Sequence, residues 1–481
     1  MAKIEAEILS RREPSSEREY QARPFLPRKP IPNIGLERID GERFYSEAFM
    51  AEEWEKIWTK TWQIGVRESD LAEPGAFQTH ELGKESFIFV RGHDGQIRGF
   101  YNVCQHRGNQ LCTTEFGKTR AFTCPFHGWQ WHTDGSLKEV ADPQFFRQFD
   151  DGVPEDELGL HPVRVAFWGG WVWFNMNPNA MSLESYLGEL GSQLESYDFS
   201  EYQLVDYQTF EWGGNWKHAV DAFNESYHFC ALHPDMVQFG EGHDIPIELV
   251  GIHSRMLNFS GTVSEVLDER EEMTPLRAKM METRLGIGAD EYQGSASEVH
   301  FEVVKHKRAS QDETHHPYKK MNDEQLAHQY HYTFFPSATF TQKPEAGSVF
   351  RYRPHPTDPN KCYYDFFILI RNPPGTPLPE YEHRVHAHGE APVYAEAFEG
   401  TFDPILANVL QQDGSNMETM QRGVKSAAFK GMILCDQEVR LRHFHQNIDR
   451  FIDGTFSCEV NAANQPPTSG LVRDGGLLRN E

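Results

Sequence analysis

Four residues with metal-binding side chains occur as two short Cys/His pairs near the start of the chain. Cys104 and His106 form the first pair, and after seventeen intervening residues Cys124 and His127 form the second. Thiolates and neutral imidazoles spaced in this way can hold a two-iron cluster, with both sulfurs on one iron and both ring nitrogens on the other. Replacing two thiolates by imidazoles raises the reduction potential of such a cluster. The pattern therefore predicts a [2Fe–2S] cluster that moves single electrons.

A zinc site and a chance pairing both fit the surroundings of these residues less well. Two Cys and two His also form a zinc ligand set, but zinc knuckles usually pair Cys with Cys and His with His. A chance pairing would be a free cysteine that lies near a histidine by coincidence. Residues 98–103 and 120–123 both have the pattern of a strand running into a loop, and Gly108 and Gly128 supply backbone freedom there. The flanks favour two matched cluster-binding loops.

A second metal site is predicted downstream, at His228 and His233. Residues five apart do not share a side of a regular helix, but a helix that ends near Pro234 can bring both rings together. The preceding segment, 216–227, has helical periodicity. Two histidines need a carboxylate to hold Fe(II) with open positions for O2 and substrate, and Asp413 is the best candidate. Taken alone, the two histidines would be ordinary members of a set of 23, but the cluster pattern upstream favours the metal site.

Together these features resemble the catalytic (alpha) subunit of Rieske non-haem iron oxygenases, over roughly residues 44–444. The resemblance is carried by the Cys/His pairs, by the segment 215–233 and by the stretch from Asp413 to residue 423. It implies a Rieske [2Fe–2S] cluster held by Cys104, His106, Cys124 and His127. It also implies a mononuclear Fe(II) held by His228, His233 and Asp413.

The family also places a carboxylate three residues before the first iron histidine, where this chain has Glu225. In the family that carboxylate hydrogen-bonds the iron histidine and a cluster histidine of the neighbouring subunit. It is most often Asp, although members acting on quaternary amines use Glu. An exposed helical glutamate is the alternative interpretation. Asp221, one helical turn earlier, is a weaker candidate for a supporting role, and Ala222 stands where the family usually has Asn.

The resemblance implies an α+β fold, with a small antiparallel β Rieske domain before a catalytic domain that has an antiparallel sheet flanked by helices. It implies O2-dependent hydroxylation, as mono- or dioxygenation, of an aromatic or other hydrophobic small molecule. A separate NAD(P)H-dependent reductase, with or without a ferredoxin, is expected to supply electrons, because the chain shows no Rossmann or flavin motif. A homotrimer is expected, and a beta subunit is left open. The alternatives are a monooxygenase or demethylase acting on an amine or ether, a Rieske electron carrier without oxygenase activity, and a zinc-stabilised binding protein.

Composition excludes several other classes. A chain of 481 residues can hold two or three domains, and a net charge of −26 argues against nucleic-acid binding. Seven cysteines, of which two are assigned to the cluster, suit free thiols in a reducing compartment better than a disulfide framework. No apolar run approaches the ~20 residues that span a bilayer, and no signal peptide is recognisable. The expectation is a cytoplasmic protein that does not bind membranes.

Three domains are expected along the chain. Residues 1–62 are predicted to form an N-terminal arm and an amphipathic helix over 46–61, residues 63–178 the Rieske domain, and residues 179–481 the catalytic domain. The polar stretch 270–320 is predicted to be a surface excursion, and helices are predicted to dominate 393–451. The histidines of 383–388 are interpreted as a solvated face and not as a third metal site. Candidates for an apolar pocket wall are Phe223, Phe229, Phe239, Phe335, Phe340 and Phe350, but with 13% aromatic residues in the chain each of them is better interpreted as part of the core.

Overall fold

The computed structural model describes residues 32–388 except 289 and 291, residues 404–459 and residues 473–476. The described chain forms two compact units. The smaller unit is built mainly from Glu52–Tyr186, and the larger from Leu187–Pro354 and Asp358–Thr455. The domain boundaries predicted after residues 62 and 178 stay predictions. The predicted arm over residues 1–31 lies outside the described residues.

The smaller unit is an antiparallel β structure. Its strands are β1 (Gln63–Arg67), β2 (Ala76–Leu82), β3 (Glu85–Arg91), β4 (Ile97–Tyr101), β5 (Phe116–Lys118), β6 (Phe122–Thr123), β7 (Gln130–Trp131), β8 (Leu137–Glu139), β9 (Pro162–Trp168) and β10 (Trp171–Asn175). One sheet has the order β1-β10-β9-β4-β3-β2-β5, and a three-stranded sheet has the order β6-β7-β8. The strands predicted at 87–90 and 171–174 are confirmed as parts of β3 and β10.

The larger unit contains an eight-stranded sheet. Its strands are β11 (Tyr202–Trp212), β12 (Ile247–Val250), β13 (His253–Asn258), β14 (Gln329–Phe334), β15 (Ala338–Gln342), β16 (Ala346–Pro354), β17 (Cys362–Arg371) and β18 (His383–His386). The order is β12-β13-β14-β15-β16-β17-β11-β18, and every pairing is antiparallel except that of β11 with β18. A last strand, β19 (Arg473–Gly476), returns to the smaller unit and pairs with β9.

Helices accompany the sheet of the larger unit, so the predicted α+β class is confirmed. They are α1 (Glu47–Glu53), α2 (Leu183–Gln193), α3 (Trp216–Ala222), α4 (Phe229–Leu232), α5 (Pro275–Leu285), α6 (Val299–Ala309), α7 (Asp323–Ala327), α8 (Pro404–Gly423) and α9 (Val439–Ile452). The helix predicted over 46–61 is observed as α1 followed by a π-helical turn at Trp54–Trp58. Among the described residues, no helix is long and apolar enough to span a bilayer.

Two predicted segments differ from the structure. The helix predicted over 216–227 ends at Ala222, and Tyr227 is exposed. The polar stretch 270–320 is not a simple surface excursion, because α5 and α6 lie within it and bury apolar residues in a small core of their own. That core contains Phe239, Met280, Met281, Ile287, Val299 and Val303. The overall polarity of the stretch hid one apolar face on each helix.

The histidine-rich stretch 383–388 forms an edge strand. His383 stacks on Tyr207 with ring centroids 3.6 Å apart, and His386 stacks on Phe210 at 4.7 Å. In the described part of the chain, neither histidine belongs to a group of potential metal ligands. Their role is to anchor β18 against β11.

Candidate metal centres

The first cluster loop follows β4 and is closed by its own backbone. The Cys104 N–H donates to the Asn109 carbonyl at 2.8 Å, and the Gly108 N–H donates to the Cys104 carbonyl at 3.0 Å. Gly108 has φ +75°, a conformation that favours glycine. The Asn102 side chain holds the far end of the loop, because its Oδ1 accepts from the N–H groups of Leu111 and Cys112. Cys104 is therefore placed by local hydrogen bonds.

The second cluster loop follows β6 and repeats this geometry. The Cys124 N–H donates to the Trp129 carbonyl at 2.8 Å, and the Gly128 N–H donates to the Cys124 carbonyl at 3.0 Å. Gly128 has φ +76°. The two loops therefore have the same backbone hydrogen-bond pattern and the same glycine conformation, and each presents one cysteine and one histidine in the same way.

The four donors of these loops converge. Cys104 and Cys124 are buried, and the His106 and His127 rings have centroids 4.7 Å apart. Burial raises the pKa of the Cys104 thiol, and the adjacent Cys124 thiol raises it further while the His106 N–H opposes it. Burial also lowers the pKa of His106, which stacks on Trp129 at 4.8 Å. The buried His106 Nδ1 has no hydrogen-bond partner among the described residues.

This donor set fits the predicted cluster. The Cys104 and Cys124 thiols lie close enough to bind one metal ion together, as thiolates, once the metal replaces their protons. Histidine binds metal as the neutral imidazole, which is the form that burial favours for His106. The unpartnered His106 Nδ1 is a buried acceptor that a metal would satisfy.

The second candidate centre gathers His228, His233 and Asp413. His228 Nε2 lies 3.6 Å and His233 Nε2 3.3 Å from Asp413 Oδ1, and all three ligand atoms fall within 4.8 Å of one another. His233 and Asp413 are almost fully buried. The His233 Nε2 has no hydrogen-bond partner in the described structure, so it too is a buried acceptor that a cation would satisfy.

Supporting residues fix which nitrogen each histidine presents. His228 Nδ1 is bonded to Glu225 Oε1, and His233 Nδ1 lies 2.7 Å from Gln412 Oε1. A carboxylate and an amide oxygen only accept, so both Nδ1 atoms carry the proton and both Nε2 lone pairs face Asp413. Gln412 was not singled out in the sequence, where its place before Asp413 was the only available signal.

Glu225 also accepts hydrogen bonds from the backbone of its own segment. Its Oε2 accepts from the backbone N–H groups of Tyr227 and His228, which fixes the turn between α3 and α4. Burial disfavours a charge on His228, but the hydrogen bond to Glu225 and the Glu225 and Asp413 charges outweigh it and raise the pKa of His228. The site thus carries excess negative charge, which suits a bound cation.

Asp221 lies away from the two histidines. Its carboxylate oxygens are 3.1 and 3.2 Å from His445 Nε2, and Arg43 donates to His445 Nδ1 at 3.3 Å. The structure therefore brings Glu225, and not Asp221, into contact with His228. The supporting role suggested for Asp221 has no direct contact behind it among the described residues.

The helix that carries Asp413 is anchored to the start of α3. The Asn215 side chain caps α3 by accepting from the Lys217 N–H at 3.1 Å, and the Asn215 N–H donates to Gln421 Oε1 at 2.8 Å. A Cβ on Gly214 would lie 3.1 Å from the Met417 carbonyl oxygen, so glycine permits the close approach of the two segments. These contacts place α8 against the segment that bears His228.

Polar residues occupy the sheet face turned towards this segment. Thr333 Oγ1 donates to Asn224 Oδ1 at 2.6 Å, and Phe350 lies 4.8 Å from Phe223. The buried polar side chains on this face are Ser254, His331, Thr333, Thr339, Thr341 and Ser348. This face of the sheet is thus partly polar and partly aromatic.

The remaining candidates for an apolar pocket wall lie in different surroundings. Phe229 lies 6.1 Å from the His233 ring, and Phe239 belongs to the small core with α5 and α6. Phe335 stacks on Phe451 at 5.3 Å, and Phe340 packs on Phe334.

Sequence comparisons assign both regions. Residues 199–454 match the family described as Ring hydroxylating alpha subunit (catalytic domain), and residues 61–150 match the Rieske [2Fe-2S] domain. The carnitine monooxygenase oxygenase subunit of Escherichia coli K12 is 37% identical over 195 residues, which are 40% of this chain and 51% of that protein. The glycine betaine monooxygenase oxygenase subunit of Pseudomonas aeruginosa PAO1 is 31% identical over 196 residues, 40% of this chain and 44% of that protein. The chain thus matches about half the length of these relatives.

Solved structures share the fold. A quaternary ammonium Rieske monooxygenase in complex with L-carnitine aligns with a TM-score of 0.58 and 20% identity, covering 86% of this chain and 95% of that one. Naphthalene 1,2-dioxygenase from Rhodococcus sp. aligns with a TM-score of 0.59 and 19% identity, covering 86% and 94%. Since the catalytic-domain match alone covers more than half of the sequence, the chain belongs to the ring-hydroxylating alpha subunits of the Rieske non-haem iron oxygenases, whose cofactors are a Rieske [2Fe–2S] cluster and a mononuclear iron.

Proposed function

We propose that this terminal oxygenase component oxidises a quaternary amine by monooxygenation at a carbon bound to nitrogen. The proposal assigns the [2Fe–2S] cluster to Cys104, His106, Cys124 and His127. It assigns Fe(II) to His228, His233 and Asp413. The observation that carries it is the triad of His228, His233 and Asp413, in which two oriented Nε2 lone pairs face one buried carboxylate, in a chain that also has two matched Cys/His loops.

Each supporting residue has a defined task. When bound, the iron of a two-His-one-carboxylate site supplies open positions for O2 and the cluster supplies a second electron. Glu225 and Gln412 hold the protons of the two Nδ1 atoms and thereby keep both rings oriented. The buried surroundings of His233 and Asp413 exclude water from that side of the site.

The substrate class rests on the relatives. Two relatives that are 37% and 31% identical over about 195 residues are named for carnitine and glycine betaine. The overall reaction uses one O2, two electrons and two protons. One oxygen atom is inserted into a C–H bond, and the other is reduced to water. A hydroxymethyl group formed on nitrogen in this way then leaves as formaldehyde.

Partners are part of the proposal. Electrons come from a separate NAD(P)H-dependent reductase, with or without a ferredoxin, and the chain assembles as a homotrimer without a required beta subunit. Within that trimer Glu225 lies at the crossing point between the iron of one subunit and the cluster of its neighbour. One solved relative, a quaternary ammonium Rieske monooxygenase, is described with inter-subunit electron transfer.

A second candidate is cis-dihydroxylation of an aromatic ring. It is favoured by a 30% identical relative, the biphenyl 2,3-dioxygenase alpha subunit of Rhodococcus jostii RHA1, which matches over 196 residues. The aromatic contact of Phe223 with Phe350 would suit such a ring. An electron carrier without oxygenase activity is the remaining alternative.

The deciding experiment uses the full chain loaded anaerobically with iron and sulfide and coupled to a surrogate reductase. Glycine betaine, carnitine and choline are compared with biphenyl and naphthalene by O2 uptake and product mass. We expect quaternary amines to stimulate O2 uptake and to give formaldehyde or one added oxygen atom. An aromatic product with two added oxygen atoms would overturn the proposal. Iron bound only in the cluster, with no mononuclear iron and no O2 uptake, would indicate the electron carrier.

A further inference from the structure

Three side chains with metal-binding atoms meet beside α4, outside the two centres described above. They are Cys230, Glu241 and His243, and one ligand atom of each lies within 4.8 Å of the others. Cys230 Sγ lies 3.9 Å from Ser264 Oγ, and the Ser264 hydroxyl donates to Glu241 Oε1 at 3.0 Å. A thiol, a carboxylate and an imidazole at this separation form a donor set that a single metal ion can bridge.

Hydrogen bonds hold the loop that carries Glu241 and His243. Glu241 Oε1 accepts from the backbone N–H groups of Gly242 and His243, both at 2.8 Å. Its Oε2 accepts from the Glu265 N–H at 2.7 Å. The Ser226 hydroxyl donates to the Gly242 carbonyl at 2.8 Å, which ties the loop to the segment before α4. The carboxylate is therefore fixed in position by the protein itself.

Glycines allow this loop to pack closely on α4. A Cβ on Gly242 would lie 2.7 Å from Phe229 Cδ1, and a Cβ on Gly240 would lie 3.3 Å from Phe229 Cζ. Phe229 precedes Cys230 on α4, so the close packing that glycine permits also brings the thiol towards the carboxylate.

The charge of Glu241 suits a bound cation. Burial raises the pKa of Glu241, but the hydrogen bonds from His243, Glu265, Ser264 and Gly242 outweigh it and lower the pKa, so the carboxylate stays ionised. No Lys or Arg of the described chain forms an ion pair with it. A metal ion would supply the counter-charge.

The group is open to solvent on one side. His243 is exposed, and Cys230 and Glu241 are half-buried, so an ion can reach all three. Within the described residues neither ring nitrogen of His243 has a hydrogen-bond partner, which leaves both available as ligands. The turn at Gly242 needs only Glu241, so the hydrogen bonds of the loop do not account for the convergence of the thiol and the imidazole.

We propose that Cys230, Glu241 and His243 bind a divalent ion of the zinc type, as a third metal site separate from the cluster and the mononuclear iron. Zn²⁺ accepts sulfur, nitrogen and oxygen ligands together, and water completes a four-coordinate shell. The ion replaces the proton of the Cys230 thiol, and no electron is transferred. Bound there, it ties the loop at 240–243 to α4, the helix between the two candidate iron histidines. Its role is to stabilise that segment and not to take part in O2 chemistry.

Zinc K-edge X-ray absorption tests the site on the full chain loaded with cluster and iron. One equivalent of Zn²⁺ is added, unbound metal is removed, and zinc, iron and acid-labile sulfide are counted. We expect about one zinc per chain, with one sulfur neighbour at about 2.3 Å and nitrogen or oxygen neighbours at about 2.0–2.2 Å. Iron and sulfide should stay unchanged. Zinc that had displaced iron from His228, His233 and Asp413 would have no sulfur neighbour, and zinc in the cluster loops would release sulfide.

Variants then assign the zinc to these side chains. Cys230→Ala should remove the sulfur neighbour and weaken zinc binding by more than the roughly 10- to 100-fold that loss of a supporting residue costs. His243→Ala should weaken it to a similar degree. Cys435→Ser is the matched control, because Cys435 is also an accessible thiol beside a carboxylate, that of Glu438, but belongs to no group of three potential ligands among the described residues. It should keep both the zinc and its sulfur neighbour.

Three outcomes would overturn the inference. They are a wild-type chain that retains no zinc once unbound metal is removed, zinc with nitrogen and oxygen neighbours alone, and zinc binding that is equal in wild type and His243→Ala. If Cys230→Ala does not fold, His243→Ala and the sulfur neighbour in wild type decide, because His243 is exposed and its truncation leaves the core intact. The proposed function fails separately, since substrate oxidation is measured without added zinc.

Discussion

The two candidate centres are built in opposite ways. The cluster loops are local, and each cysteine is held by backbone hydrogen bonds to residues four or five positions away. The candidate iron site joins His228 and His233 to Asp413, which lies on a helix distant in sequence, and it depends on side-chain hydrogen bonds to Glu225 and Gln412. Loss of one ligand should therefore abolish the cluster outright, whereas changes around the iron should produce graded effects.

The largest expected effect is that of Cys104→Ser. Removing one of two buried thiolates should abolish the cluster, and with it the visible absorption, the electron-spin signal and product formation. Mononuclear iron should still bind, because its ligands belong to the other unit. Metal and acid-labile sulfide analysis checks this result. Cys112→Ser is the control, since Cys112 lies beside the loop and contributes only its backbone to it; a cluster that survives Cys104→Ser would contradict the assignment.

Asp413→Ala tests the other centre. The colour of the cluster should remain while mononuclear iron is lost, and product formation should fall by more than the roughly 100-fold that loss of a supporting residue costs. The readouts are iron per chain and O2 uptake with substrate. Glu418→Ala and Asp436→Ala are controls, because both carboxylates are exposed. Full turnover in Asp413→Ala would mean that one of them, or another carboxylate, is the ligand.

The same contrast accounts for what the sequence could predict. The spacing of Cys104, His106, Cys124 and His127 sufficed to predict two matched loops, because each loop is closed by hydrogen bonds between neighbours in sequence. The proximity of His228 and His233 could be predicted because Pro234 limits the helix and the cluster pattern indicated a family. Strands rich in β-branched and aromatic residues were also predicted where they occur.

The features that the sequence did not predict depend on tertiary packing, which no local sequence pattern reveals. Gln412 can orient His233 only because α8 brings the two side chains together. The helical periodicity reaches residue 227, but the helix ends at Ala222, and Glu225 uses its carboxylate to hold the turn that follows. In 270–320 the mean polarity masked Met280 and Val303, which are buried on two short helices.

Glu225→Gln should have an intermediate effect. The amide oxygen can still accept from His228 Nδ1, so both metals should remain bound, but the lost charge should slow turnover by about 10- to 100-fold. Single-turnover experiments with the cluster reduced in advance measure the step directly. If the rate of cluster oxidation in the presence of substrate and O2 is unchanged, Glu225 does not connect the two centres.

The smallest expected effect is that of Gln412→Ala. His233 would lose the acceptor that fixes its tautomer, which should weaken iron binding about tenfold without changing the cluster. Competition with a chelator, followed by counting the iron retained, measures the change. Gln411→Ala is the matched control, because the neighbouring side chain makes no hydrogen bond to His233 in the described structure. Equal iron retention in the two variants would show that Asp413 alone orients the site, and the contrast between a local and a supported centre would then be weaker than proposed.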